Sequence, residues 1–252
     1  MENYTYNYPH PAVATDCVVL GFDGESLKVL LVERGVEPYK GAWALPGGFM
    51  RIDETAEQCA RRELAEETGL DLSNLHQLGA FTAVHRDPRE RVVSIAFYAL
   101  ARQRDVRGGN DAAKARWVEI DSLPPLAFDH DTILHEALLR LRRDIRFEPV
   151  GFGLLDESFT MPELQRLYEA ILGRQFDRRN FNKKMLQAGV LHAAATDSAA
   201  TVESHTMRRM DIGDLFASEE PHSQPGRRGR QFSFDAEAYA RMKEDDDMKT
   251  EF

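Results

Sequence analysis

The stretch GGFMRIDETAEQCARRELAEETGL, Gly47 to Leu70, puts two glutamates where an amphipathic helix should be neutral. A helix turns about 100° per residue, so with Ala56 as origin Ala60 lies at about 40°, Glu63 at about −20° and Glu67 at about 20°. Both glutamates share the small apolar face. Gln58, Arg61, Arg62 and Ala65 take the opposite side, and Glu66 lies about 80° round from the origin, next to Cys59. Three local preferences are broken together: like charges at i and i+4 repel, carboxylates near a helix C-terminus oppose the macrodipole, and inward charges lose solvation. A hard divalent cation removes the conflict, because Mg²⁺ prefers carboxylate oxygens, keeps several waters and takes the rest of its shell from phosphate. Taken alone, the three glutamates also fit a solvated acidic helix end with Arg62 and Glu66 paired at i, i+4.

The surrounding residues decide between these readings. Ahead of the helix, WALPGGF brings Gly47 and Gly48 to a place where backbone must pass close to another group, which glycine does without a Cβ. Gly48, five residues, Glu54, seven residues, Arg62-Glu63-Leu64, one residue, Glu66-Glu67, one residue and Gly69-Leu70 together form a long, position-specific pattern. That pattern resembles the signature of the Nudix family at every position, and the resemblance extends over Val13 to Arg146. It implies an α+β fold in which a Nudix α/β/α sandwich surrounds a mixed sheet, and it implies hydrolysis of a nucleoside diphosphate linked to another group. By the same resemblance Glu63, Glu66 and Glu67 hold Mg²⁺ or Mn²⁺, Gly47 offers its carbonyl to the metal, Gly48 lies against substrate, and Arg62 orients the acidic cluster. The metal's tasks are to screen the pyrophosphate, acidify a bound water and stabilise the leaving phosphate. Glu66 and Glu90 are the candidates for general base.

Further along, AVHRDPRERVVSIAFYAL resembles a segment of Nudix enzymes and regulators that act on or sense ADP-ribose, with Glu90 where that pattern has glycine. The guanidinium groups of Arg86 and Arg89 suit phosphate or ribose oxygens. A charged hairpin tip built on Asp87 and Pro88 is the plainer account of the same residues.

The whole chain has 252 residues and a net charge of −10, which argues against general coating of nucleic acid but leaves room for a local basic surface. Cys17 and Cys59 sit in apolar surroundings without CxxC or Cys/His spacing, so both are read as reduced core residues. The start MENYTYNYPH has no basic region leading into an apolar core, and no run approaches the ~20 residues of a membrane span, so the protein is expected in the cytoplasm. VATDCVVLGF and LKVLLVER predict strands around a DGES turn, followed by a helix from Glu54 to Thr68. LGAFTAVHRD, RVVSIAFYALAR and ARWVEI predict three more strands, and a helix is predicted from Asp131 to Arg143. RFEPVGFGLLDESF reads as a linker, which gives domains 1–148 and 149–252.

Beyond it, TMPELQRLYEAILG predicts a helix with a Thr160/Glu163 capping box and a Gly173 stop, and RRNFNKKMLQAG predicts a second, basic helix. Residues 193–224 read as a loop, GRRGRQFSFD as a basic turn entering a strand, and AEAYARMKEDDDMKTEF as a terminal helix with an acidic tail. This order predicts a smaller winged helix-turn-helix domain that binds DNA, with Arg178, Arg179, Lys183 and Lys184 on the recognition helix and Arg227, Arg228 and Arg230 on the wing. FTMPELQRLYEAILGRQFDRRNF behind a complete Nudix pattern resembles the Nudix-related transcriptional regulators of NAD metabolism, which implies ADP-ribose as effector, operator DNA as partner and a homodimer. The intact pattern is a departure from many such regulators and implies that hydrolysis is retained; sensing without cleavage, or a C-terminal unit used only for dimerisation, are the other readings.

Overall fold

In the computed structural model the described residues are 7–103, 114–146, 148, 150–193 and 230–247. The chain divides into two compact units, Met1–Arg140 and Leu141–Phe252, and the division falls inside a helix.

The first unit is built on a mixed sheet. Strand β1 (Ala12–Phe22) forms a hairpin with β2 (Leu27–Glu33), closed by Asp23, whose carboxylate accepts from the Glu25 and Ser26 amides. Short strands β3 (Trp43–Ala44) and β4 (Gly47–Phe49) follow, then helix α1 (Ala56–Thr68). Strands β5 (His76–Phe81), β6 (Val92–Leu100) and β7 (Ala115–Glu119) and helix α2 (His130–Asp144) complete the unit. The sheet runs β3-β2-β1-β6-β5, with β4 added to β1 and β7 to β2. β1 and β6 pair in parallel, from Ala12 opposite Val92 to Leu20 opposite Leu100. β1 is buried along most of its length and therefore reads as a continuous apolar run rather than an alternating one.

Helix α1 lays Ala60 and Leu64 on a core of Cys17, Val19, Leu30 and Phe97. It starts two residues later than the predicted Glu54 because Thr55 caps it, exchanging hydrogen bonds with Gln58. Gly69 ends it in the left-handed region at φ 72°, which glycine enters without steric cost. The expected strand LGAFTAVHRD stops at Phe81: residues beyond it form turns, since Arg86 and Asp87 are buried in ion pairs that a strand position could not offer.

In the second unit the segment read as a linker holds a 3₁₀ turn, Val150–Leu154, that buries Phe152, Leu154 and Leu155. β8 (Phe159–Thr160) leads into α3 (Met161–Leu172), capped by Thr160 and Glu163 and stopped at Gly173 as predicted. α4 (Arg178–Gln187), β9 (Leu191–Ala193), β10 (Gln231–Phe234) and α5 (Ala236–Asp247) follow. β8, β10 and β9 make a three-stranded antiparallel sheet beside the two helices, which is winged helix-turn-helix topology. Tyr168 and Phe181 meet edge to face at 5.5 Å and fix α3 on α4.

Candidate nucleotide and DNA sites

β4 pairs with β1 so that Gly48 lies opposite Thr15 and Gly47 opposite Asp16. The approach is close: a Cβ on Gly47 would collide with the Thr15 carbonyl oxygen, and one on Gly48 with the Glu63 carboxylate. The Gly47 amide donates to Glu67 Oε2 at 3.0 Å. Glu67 is largely enclosed, and its carboxyl is pushed up to about 7 by burial and then by the Glu63 and Asp16 charges, against the Gly47 hydrogen bond and the Arg34 charge.

Arg62 is the hub beside this pair. Its Nε and Nη2 donate to both Glu54 oxygens at 2.9 and 2.6 Å, and its Nη1 donates to Glu63 Oε1 at 2.7 Å and Glu66 Oε2 at 3.3 Å. These hydrogen bonds hold the Glu54 carboxyl down to about 2. Glu63 and Glu66 therefore turn onto Arg62 and Glu67 onto the Gly47 amide, and among the described residues no three His, Cys, Asp or Glu side chains converge as a ready metal shell. The donor set is nonetheless carboxylate oxygen, held against bare backbone that a Cβ would block, and it includes one partly buried acid, Glu67, driven toward its neutral form. Those features fit a hard cation.

The glutamates line a cavity of about 490 Å³. Its far wall is a buried network around Arg86, which was expected to meet phosphate or ribose and is instead paired with carboxylates; its partners Asp16, Ser94, Asp129 and His130 were not singled out from the sequence. Arg86 donates to Asp129 at 3.0 and 2.6 Å and to Asp16 Oδ2 at 3.1 Å, and Ser94 donates to Asp16 as well. The Leu45 amide donates to His130 Nδ1 at 2.9 Å, which places the ring proton on Nε2, 3.3 Å from Asp16 Oδ1. Burial alone would push the Asp16 carboxyl up; His130, Ser94 and Arg86 outweigh it and hold it down to about 2.

Arg89 is paired with Asp87 at 2.7 Å and lies over the rings of Phe49 and Phe128 at 5.1 and 5.7 Å. Arg34, also missed, stacks on Phe128 at 4.6 Å and donates to the Pro38 carbonyl, and among the described residues no carboxylate lies within ion-pair distance of it. Phe128 itself sits at φ 56°, a strained conformation for a bulky residue and one that clusters at ligand sites. The one sequence signal for Arg34 was a cation ending the apolar run LKVLLVER. Arg62 itself is not part of the cavity wall, whereas Gly47, Gly48, Glu63, Glu66, Glu67, Arg86 and Arg89 are; Glu90 is exposed and lies outside it.

The NUDIX domain family model matches residues 10–137. The chain belongs to the Nudix family. Behind the Nudix part, the NrtR DNA-binding winged helix domain model matches residues 151–205. The chain is 34% identical over 216 residues to the ADPR responsive transcriptional repressor NtrR of Acinetobacter baylyi, covering 82% of this chain and 85% of that one. It is 40% identical over 129 residues to the ADP-ribose pyrophosphatase of Methanocaldococcus jannaschii, covering 51% of this chain and 74% of that one. The crystal structure of Shewanella oneidensis NrtR complexed with a 27mer DNA superimposes with a TM-score of 0.69 at 27% identity, over 90% of this chain and 95% of that one.

In the winged helix unit of this Nudix protein, α4 buries Phe181 and Met185. Arg179 and Lys183 are exposed and lie opposite that buried side. Arg178 is exposed at the first position of the helix, about 100° round from Arg179, and Lys184 is partly buried about 100° round from Lys183. Arg230 is exposed, with its guanidinium 5.7 Å from the Phe232 ring. Arg227 and Arg228 lie outside the described residues. Among the described residues no helix is long and apolar enough to cross a membrane.

Proposed function

We propose that this Nudix protein is a DNA-binding regulator that takes ADP-ribose or a related nucleoside diphosphate derivative into its pocket and, with Mg²⁺ or Mn²⁺, hydrolyses the pyrophosphate. The observation that carries this reading is the Glu63–Glu67 pair set against the Gly47-Gly48 backbone in a cavity of ligand size. The nucleotide role falls to residues 1–148 and DNA binding to residues 149–252, in a homodimer acting in the cytoplasm. The likeness to the Acinetobacter repressor and to the Methanocaldococcus pyrophosphatase supports the two halves of the reading.

Glu63, Glu66 and Glu67, with the Gly47 backbone, would hold the cation, which when bound screens the pyrophosphate charge and acidifies a water. The chain's own residues do the rest. The Gly47 amide fixes the Glu67 carboxylate, and Arg62 orients Glu63 and Glu66. Arg34 and Arg89 present guanidinium groups to phosphate oxygens. Glu66, half exposed at the cavity wall, would take a proton from the attacking water in this reading, and its position in the wall supports it over Glu90, which lies outside.

Sensing without cleavage is the second reading, and the likeness to the Acinetobacter repressor over most of the chain favours it. The test is Mg²⁺-dependent release of AMP and ribose 5-phosphate from ADP-ribose, lost in Glu63→Gln and Glu67→Gln. A protein inactive on a panel of nucleotide sugars with either metal overturns cleavage and leaves sensing. Sensing is then read from release of promoter DNA when ADP-ribose is added, and a DNA affinity unmoved in Arg179→Ala with Lys183→Ala overturns the recognition-helix assignment.

A further inference from the structure

The outward face of α4 carries Arg179, Asn180, Lys183, Leu186 and Gln187, all exposed, opposite the buried Phe181 and Met185. The helix contains no acidic residue. Among the described residues, no protein group engages the side chains of Arg179, Asn180, Lys183 or Gln187, so the face has its full hydrogen-bonding capacity free. Among the described residues of the second unit, Leu186 is the one large apolar side chain left exposed, at 52%, and it stands three residues from Lys183 and seven from Arg179.

Each component has a counterpart in the major groove of DNA. The cations suit phosphates or the guanine edge, and the carboxamides suit the adenine N6/N7 pair. The thymine C5-methyl is the apolar group that groove displays, and it is the match for a leucine set among polar side chains. From Arg179 to Gln187 the face is about 12 Å long, close to the groove width. An acidic protein surface would satisfy the cations but leave the carboxamides and the leucine without a specific partner.

We infer that the outward face of α4 reads base edges directly, with Leu186 seated against a thymine methyl and Gln187 presented to an adenine edge. This rests on the DNA-binding reading above and adds sequence preference to it: the operator carries an A·T-containing step under the C-terminal half of the helix. Arg179 and Lys183 supply sequence-independent attraction, and Leu186 and Gln187 supply choice.

The experiment selects binding sites from a random DNA pool with the full-length protein and with Leu186→Ala and Gln187→Ala. Each thymine of the wild-type site is then replaced singly by deoxyuridine, which removes the methyl and nothing else. One replacement is expected to weaken wild-type binding about fourfold, the value of one buried methyl, and to leave Leu186→Ala unaffected. Gln187→Ala is expected to lose at least about fivefold of preference for adenine at one position while the salt slope stays the same. If the wild type enriches a site but no deoxyuridine replacement matters and both variants select the same site, the inference is overturned and DNA binding stands. If the wild type enriches no site, both fall.

Discussion

Gly47 and Gly48 stand side by side, yet a methyl added to each would meet a different obstacle. At Gly47 it meets the Thr15 carbonyl, which is sheet backbone and cannot give; at Gly48 it meets the mobile end of Glu63. Gly47→Ala is therefore expected to destabilise the protein by at least about 3 kcal/mol in urea denaturation. Gly48→Ala should stay within about 1 kcal/mol of wild type but lose about 100-fold in Mg²⁺-dependent hydrolysis, because Glu63 is displaced. Glu67 makes a second prediction. Its folded pKa of about 7 lies above the ordinary 4.5, so the stability it contributes is complete below about pH 4.5 and is lost as pH rises through about 7. In chelator the melting temperature should fall from about pH 5 to about pH 8, Glu67→Gln should flatten that fall, and Mg²⁺ should restore stability most at the alkaline end, where the carboxylate is free to bind it. The glutamates and glycines were legible because their spacing follows one helix and one turn. Asp16, Arg34, Phe128 and His130 were not, because strand register and loop path bring them to the cavity from separate parts of the chain, and no periodicity in the sequence encodes that meeting.

Arg86 joins three elements: Asp16 lies on β1, Asp129 directly precedes α2, and Arg86 belongs to the loop between β5 and β6. Removing the guanidinium leaves two carboxylates facing each other with little solvent. Arg86→Ala is expected to lower stability by about 3–5 kcal/mol, read from the urea midpoint in protein without ligand. A loss of ligand affinity with the midpoint unchanged would instead place Arg86 among groups that touch only phosphate. The same network explains why the strand prediction ran too far: the partners of Arg86 lie about 40 or more residues away, so local pattern could not end the strand at Phe81. Caps behaved differently. Thr160, Glu163 and Gly173 act within a few residues of the helix they bound, and the sequence located that helix to the residue.

Any coupling between the proposed nucleotide pocket and the proposed DNA-binding helix is a linkage, and linkage is reciprocal. If ADP-ribose weakens operator binding about tenfold, operator DNA must weaken ADP-ribose binding by the same factor, measured by calorimetry on Glu63→Gln so that turnover does not consume the ligand. Affinities that stay the same whichever ligand is already bound would mean that the two sites do not communicate. The order of the two units was readable because each carries its own pattern, and the division at Arg140 was not, because α2 runs through it without a break in composition. The acid-free face of α4 has one more consequence at this scale. The chain as a whole carries a net charge of −10, so a polyanion meets repulsion from the net field and attraction where, among the described residues, Arg179 and Lys183 have no carboxylate paired with them. The protein thereby filters its own collisions by angle, and the filter is sharpest in dilute salt, where the screening length grows well beyond about 10 Å and a misaligned approach is turned away before contact.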